Sequence, residues 1–391
     1  TMLGAGGSAY AAIKLGEKKE DEAENTLGNE FLMLLVIGLL ITVIGLVFLE
    51  PILNLFGATP KNMAYSKDYA SIILLGSTFN LLGIGLSNMA RTDGSPNVAM
   101  YSMLAGAILN TMLDPFYIFV LHWGVKGAAI ATITSQIIGA VILLYYFLKK
   151  GHMRLRFDHM KLKSSICKAI FALGISSCIT QTAATIMQVV MNNSLVYYGD
   201  VALSAMGIVL KVSMIITAIC VGIGIGAQPI LGFNKGANQP KRIKSTYKRA
   251  AGIATITSIV GWLLCITIPH IILSLFGSGN ATFTEFAIRC MRIFMMGIFC
   301  AGFQITATSY FQATGQPLKA SILSMMRQLI LLIPLILILP MIFGLNGILY
   351  AGPIADITSG IVVFGFISHE MKKLDKQIED EDGKEELGVL E

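Results

Sequence analysis

The chain has 391 residues, 54% of them hydrophobic and only 13% charged, with a mean hydropathy of +0.71. A soluble domain carries charge on about a quarter of its residues, so this composition excludes an ordinary soluble enzyme or binding domain and makes the lipid bilayer the expected solvent. The net charge of +6 resides in loops rather than on a basic face interleaved with base-reading side chains, so no nucleic-acid partner is expected.

Apolar stretches of about 20 residues, the length that crosses a hydrocarbon core, recur at 27–50, 67–89, 97–121, 125–148, 166–192, 201–229, 250–275, 285–311, 320–343 and 345–368. In hydrocarbon, backbone polar groups must be satisfied internally, and these runs are too long and evenly apolar for barrel strands; helices are predicted. Positive charge gathers in alternate loops. Lys149, Lys150, Arg154, Arg156, Lys161, Lys163 and Lys168 fall around the junction of the fourth and fifth spans, and Lys235, Lys241, Arg242, Lys244, Lys248 and Arg249 around that of the sixth and seventh. The loops at 192–200, 276–284 and 343–346 hold neither Lys nor Arg. The positive-inside rule therefore predicts that the basic loops and the carboxy-terminal tail are cytoplasmic. The six cysteines lack metal-like spacing and read as small core residues.

Self-similarity at a fixed offset of 220 residues organises these spans. Ile52-Leu53-Asn54-Leu55-Phe56-Gly57 recurs as Ile272-Leu273-Ser274-Leu275-Phe276-Gly277, Gly4, Gly6 and Gly16 as Gly224, Gly226 and Gly236, and Gly124, Gly127 and Ala131 as Gly344, Gly347 and Ala351. Gly94 and Pro96 answer to Gly315 and Pro317 one residue further on. The matches join loops on the same side, so two halves of the same membrane orientation are predicted. The expected organisation is an amino-terminal lobe over 1–149, a basic cytoplasmic linker over 150–163, a carboxy-terminal six-helix lobe over 164–369 and a charged tail over 370–391. Measured against the second half, the first lacks one helix and most of another. That shortfall and the absence of a starting Met are expected of an amino-terminally truncated chain.

A charge inside the membrane costs several kcal/mol unless it is paired or lines a cavity, so intramembrane ionisable groups are functional candidates. They are Asp114, Lys211, Arg289, Arg292, Arg327 and Asp356, with Glu30 and Glu50 nearer span ends. Asn110 and Asp114 are four apart and share a helix face, and Pro115 frees a carbonyl nearby. This set suits a hard cation or a proton, or else Asp114 merely pins its helix against Pro115. Lys211, Arg327 and Asp356 are expected to form a charge network that is structural. Arg289 and Arg292 lie near a span end, where they can snorkel, and receive no role. Gln181, Gln188 and Gln304, with Met187 and Met191, are candidate linings of a substrate cavity, the alternatives being hydrogen bonds between helices and plain packing. Gly222-Ile223-Gly224-Ile225-Gly226 beside Pro229 suits either a hinge or close packing. Neither a hydrolase triad nor a phosphate-binding loop is present, and no enzymatic activity is expected.

Several motifs in order resemble those of the multidrug and toxic compound extrusion (MATE) transporters, over the whole chain. They are Gly4-Ala5-Gly6-Gly7-Ser8 with Leu15-Gly16-Glu17, Arg91-Thr92-Asp93-Gly94-Ser95-Pro96, Leu109-Asn110-Thr111-Met112-Leu113-Asp114-Pro115, Gly124-Val125-Lys126-Gly127-Ala128-Ala129, Gln228-Pro229-Ile230-Leu231-Gly232-Phe233-Asn234-Lys235-Gly236-Ala237 and Gln312-Ala313-Thr314-Gly315-Gln316-Pro317. The resemblance implies an all-α integral membrane protein of two repeated six-helix bundles, the first incomplete here, around a central cavity. It implies secondary active efflux of small amphipathic, usually cationic compounds in exchange for Na⁺ or H⁺ by alternating access. It also implies that Asn110, Asp114 and Thr132 hold the coupling ion together with a first-span acidic residue outside this sequence. No cofactor beyond that ion and no resident metal are implied, and the expected setting is a bacterial cytoplasmic membrane, with the protein a monomer. The rival within the broader superfamily is a flippase for a lipid-linked precursor, which would want a more basic cavity. A membrane-embedded enzyme or a receptor would want catalytic clusters or a large extracellular segment, and neither is visible.

Overall fold

Long apolar segments satisfy their own backbone polar groups as helices, and in the computed structural model, which describes residues 1–56, 59–276 and 281–388, every long element is helical. No strand occurs among the described residues. Among the described residues, ten helices are long and apolar enough to cross a membrane: Glu20–Val47, Met63–Thr92, Pro96–Val120, Gly124–Lys149, Ser164–Val196, Asp200–Gly236, Pro240–Thr267, Ala281–Ala313, Pro317–Phe343 and Leu345–Glu381. Each matches one predicted span. Gly57 and Gly277 of the repeated motif lie outside the described residues.

The chain divides into two compact units, Thr1–Gly174 and Ile175–Glu391. The division falls inside the helix Ser164–Val196, past the start at 164 expected for the second lobe. The amino-terminal unit contains α1 (Met2–Gly16), α2 (Glu20–Val47), α3 (Leu49–Leu55), α4 (Met63–Thr92), α5 (Pro96–Pro115), α6 (Gly124–Lys149) and the beginning of α7 (Ser164–Val196). Here α4 packs against α2 and α6, α5 against α6, and α1 against α2 and α4. Leu27, Leu86, Met89, Leu143 and Phe147 form one core cluster, and Leu3, Met33, Leu34, Ile166 and Ile170 another.

The sequence marks where these helices start and stop. Pro96 sits at the start of α5, where its missing N–H costs nothing, after Gly94 takes a positive φ of 79° in the turn. Glu20, Asp21 and Glu22 place negative charge on the first turn of α2, where the helix dipole favours it. Pro115 removes one backbone donor, and the chain continues as a π-helical segment, Phe116–Val120. Outward faces are apolar: α2 exposes Leu39, Leu40, Val43, Ile44 and Val47, a surface that only lipid or a protein partner would cover.

The carboxy-terminal unit holds the rest of α7, α8 (Asp200–Gly236), α9 (Pro240–Thr267), α10 (Pro269–Ser274), α11 (Ala281–Phe294), α12 (Ala301–Ala313), α13 (Pro317–Met325), α14 (Ile333–Phe343) and α15 (Leu345–Gly388). A 3₁₀ segment, Met295–Cys300, joins α11 to α12, and a π-helical segment, Met326–Leu332, joins α13 to α14. α8 packs against α9, α11 and α12, and α15 against α14. α2 and α9 begin and end 220 residues apart, and the turn residues before them, Lys18 with φ of 60° and Asn238 with φ of 49°, are separated by the same number.

The linker over 150–163 lies on the amino-terminal unit through backbone amides held by acceptors distant in sequence. Asp93 accepts from the Tyr146 hydroxyl at 2.6 Å and from the amides of His152 at 3.0 Å and Met153 at 2.7 Å. Glu24 accepts from the Arg154 amide at 3.0 Å, with Arg156 at 3.8 Å and His159 at 3.2 Å. Asn29 accepts from the Lys163 amide at 2.7 Å. Buried backbone donors need partners, and these three side chains supply them.

Candidate ion-coupling site

α5 and α6 bring Asn110, Asp114 and Thr132 together. Asn110 Nδ2 donates to Asp114 Oδ1 at 3.4 Å and to Thr132 Oγ1 at 3.5 Å, while the Thr132 hydroxyl donates to the Ala128 carbonyl at 3.0 Å. All three residues are half-buried. The two Asn110 contacts are long, and a half-turn of its amide would replace the donor with an oxygen. A carboxylate, an amide oxygen and a hydroxyl then face one small volume, a donor set for a hard cation or an acceptor for a proton. Two cations of this unit are engaged elsewhere: Lys67 pairs with Glu50, and Lys126 with Asp68 at 3.3 Å. Among the described residues no group of three or more His, Cys, Asp or Glu could hold a metal ion.

Charge in the carboxy-terminal unit is arranged differently. Arg327, on the π-helical segment, donates from Nε to Asp356 Oδ1 of α15 at 2.6 Å, and Asp356 is buried. Lys211 does not join them. It is exposed on α8 and takes part in no ion pair among the described residues, a correction to the three-member network expected from sequence. Arg289 and Arg292 are exposed, and Arg289 donates to Asn346 at 3.1 Å.

The expected cavity linings also separate. Gln181 and Gln188 are exposed on α7, and Met187 is half-buried against the core. Met191 and Gln304, by contrast, are core residues rather than linings. Met191 is 0% exposed and belongs to the cluster of Leu195, Met206 and Met291, and Gln304 Nε2 donates to the Asp356 carbonyl at 2.6 Å because a buried amide must find a partner.

One residue given no role from the sequence stands out. Glu30 is 0% exposed in α2, and neither of its carboxyl oxygens has a hydrogen-bond partner. An acidic residue just inside the start of an apolar run was the available signal.

Ten apolar helices, a half-buried carboxylate in a polar cluster and a buried ion pair define a multi-pass membrane protein with chargeable groups within its spans, the class to which ion-driven transporters belong. The MatE family model matches residues 1–116 and 176–338. The chain belongs to the MATE family of multidrug efflux transporters. It is 29% identical over 360 residues to the multidrug export protein MepA of Staphylococcus haemolyticus (strain JCSC1435), covering 91% of this chain and 78% of that protein. Among solved structures, the MATE multidrug transporter DinF-BH in complex with R6G matches with a TM-score of 0.87 and 34% identity, covering 94% of this chain and 83% of that one. An outward-facing multidrug resistance MATE transporter of the MOP superfamily shares the fold with a TM-score of 0.90 at 22% identity, covering 95% and 84%.

Proposed function

We propose that this protein exports small amphipathic, usually cationic compounds from a bacterial cytoplasmic membrane by alternating access, in exchange for Na⁺ or H⁺ held by Asn110, Asp114 and Thr132. The carrying observation is the state of the charges within the spans. Arg327 and Asp356 neutralise one another at 2.6 Å, whereas Asp114 faces only the neutral Asn110 and Thr132. A carboxylate kept within a span without a countercharge has the electrostatics to bind and release a cation during a cycle. Gln181 and Gln188, exposed on α7, remain the substrate-facing candidates of the carboxy-terminal unit, and Met187 beside them offers an adaptable surface. The protein acts as a monomer with its carboxy-terminus in the cytoplasm, in keeping with the basic loops, and uses no cofactor beyond the coupling ion.

The test is efflux of a fluorescent lipophilic cation from proteoliposomes under an imposed Na⁺ or H⁺ gradient, comparing wild type with Asp114→Asn. One gradient is expected to drive efflux, and the substitution to abolish that drive while leaving binding of the compound measurable. Gradient-driven efflux that survives in Asp114→Asn would remove Asp114 from coupling. A wild type that moves nothing under either gradient would favour the lipid-precursor flippase reading.

A further inference from the structure

The cluster at Asp114 leaves Glu30 without a task, and its surroundings are specific. Two helices of the amino-terminal unit, α1 and α4, close on its carboxyl group through their smallest residues. A Cβ added to Gly7 of α1 would lie 1.9 Å from Glu30 Oε2, and one added to Gly85 of α4 would lie 2.9 Å from Oε1. Met89 packs at Gly7 and Leu34 at Gly85. No charged side chain of these helices is paired with Glu30 among the described residues. Lys14 of α1 pairs with Glu17 and Glu22, Arg91 of α4 donates to Asn88, and Glu24 of α2 turns to the linker.

An ionised carboxylate in such a place costs several kcal/mol, and glutamine or leucine would fill the same space without that cost. The acid is therefore suited to carry a cation. A metal ion of the Na⁺ or Ca²⁺ kind needs about six oxygens, and among the described residues no group of three or more His, Cys, Asp or Glu could hold one. A proton needs one oxygen. We propose that Glu30 is a second cation-carrying group of the amino-terminal unit, loaded by a proton that it gives up when a drug cation binds and regains when the drug leaves. In the release step the carboxyl O–H bond breaks, the proton passes to water, and the remaining carboxylate is balanced by the positive charge of the drug. Opening requires that α1 draw back from α2 at Gly7, past Met89, or α4 at Gly85, past Leu34. This role rests on the efflux reading, because a drug cation is what displaces the proton.

The experiment measures protons released when tetraphenylphosphonium binds to the purified protein in weakly buffered detergent solution containing a pH-indicator dye. In wild type, release should accompany binding; in Glu30→Gln, binding should persist while protons released per bound cation fall by about half or more, as linkage requires when one of the titrating groups is removed. Release unchanged in Glu30→Gln overturns the role of Glu30 and leaves efflux standing. A wild type that binds no tetraphenylphosphonium overturns efflux, and this role with it. A second measurement needs no variant: dicyclohexylcarbodiimide reacts with protonated carboxyl groups in apolar surroundings, and peptide mass spectrometry should find its adduct on Glu30, suppressed by saturating tetraphenylphosphonium. No adduct at Glu30, or one indifferent to the drug cation, overturns the proposal even if Glu30→Gln fails to fold.

Discussion

Arg327 and Asp356 illustrate what a charge inside a membrane helix requires. Asp356 is buried, its Oδ1 accepts a hydrogen bond from Arg327 Nε–H, and its backbone carbonyl accepts from Gln304. The fit is tight: a Cβ on Gly297 would lie 2.6 Å from the Asp356 Cβ. Replacing both charged residues by apolar ones of similar volume is often neutral, whereas removing one partner strands the other charge. Asp356→Asn is therefore expected to destabilise the protein by about 3–5 kcal/mol, and Arg327→Met combined with Asp356→Leu by much less. Unfolding in detergent of the two single variants and the double variant checks this as a double-mutant cycle. Equal losses in single and double variants would show that the pair matters for more than charge balance. A coupling group behaves differently, since Asp114→Asn removes a charge with no partner to strand and should leave stability nearly unchanged while gradient-driven efflux is lost.

At the level of helices, close approach is decided by backbone against backbone. Gly302 of α12 meets α9 so closely that a Cβ would lie 2.1 Å from the Ala254 carbonyl oxygen, an atom no rotamer change can move. Gly302→Ala should separate α12 from α9 and lower stability by about 1–3 kcal/mol, read as a fall in unfolding temperature; an unchanged Tm would mean that α9 yields. The existence of these helices was legible from the apolar runs, and their ends were less so. The first span was expected at 27–50 but the helix begins at Glu20, because Glu20–Asp21–Glu22 form a polar helical turn that hydropathy cannot count. That offset also made Glu30 read as a span-end residue, although α2 carries it past the first turns into the packed interior. Facing was the other illegible quantity. A helix apolar on all sides has no stripe to orient it, so Met191 and Gln304 fit a cavity as well as a core on sequence, and only packing separated them. The Asn110–Asp114–Thr132 grouping was accessible because spacing places the first two on one face and the family resemblance supplies the third. Lys211 read as a network member because it shares a membrane half with Arg327 and Asp356, a proximity in sequence pattern that α8 does not convert into contact.

Across the whole molecule, the buried Asp356 of the carboxy-terminal unit is paired with Arg327, while two carboxyls within the spans of the amino-terminal unit, Asp114 and Glu30, have no ionic partner among the described residues. In the same amino-terminal unit Asp93, Glu24 and Asn29 hold the backbone amides of the 150–163 segment. Asp93 shows how the fastening depends on pH. Burial holds its carboxyl above the ordinary aspartate range, and hydrogen bonds from the Tyr146 hydroxyl and the Met153 and His152 amides pull in the opposite direction without cancelling it. As pH rises the unfolded chain loses this proton first, so the native state loses stability between the ordinary aspartate range and the raised folded value, and recovers it as pH falls below that range. Asp93→Asn removes this dependence and also weakens the anchoring of two amides. Hydrogen exchange at His152 and Met153 should quicken by about tenfold, the equivalent of one hydrogen bond of ordinary worth, while the acid-range decline of thermal stability flattens relative to wild type. A variant whose 152–153 amides exchange at the wild-type rate would show that the linker is held by Glu24 and Asn29 alone. An undiminished acid-range decline would place the responsible proton on another group.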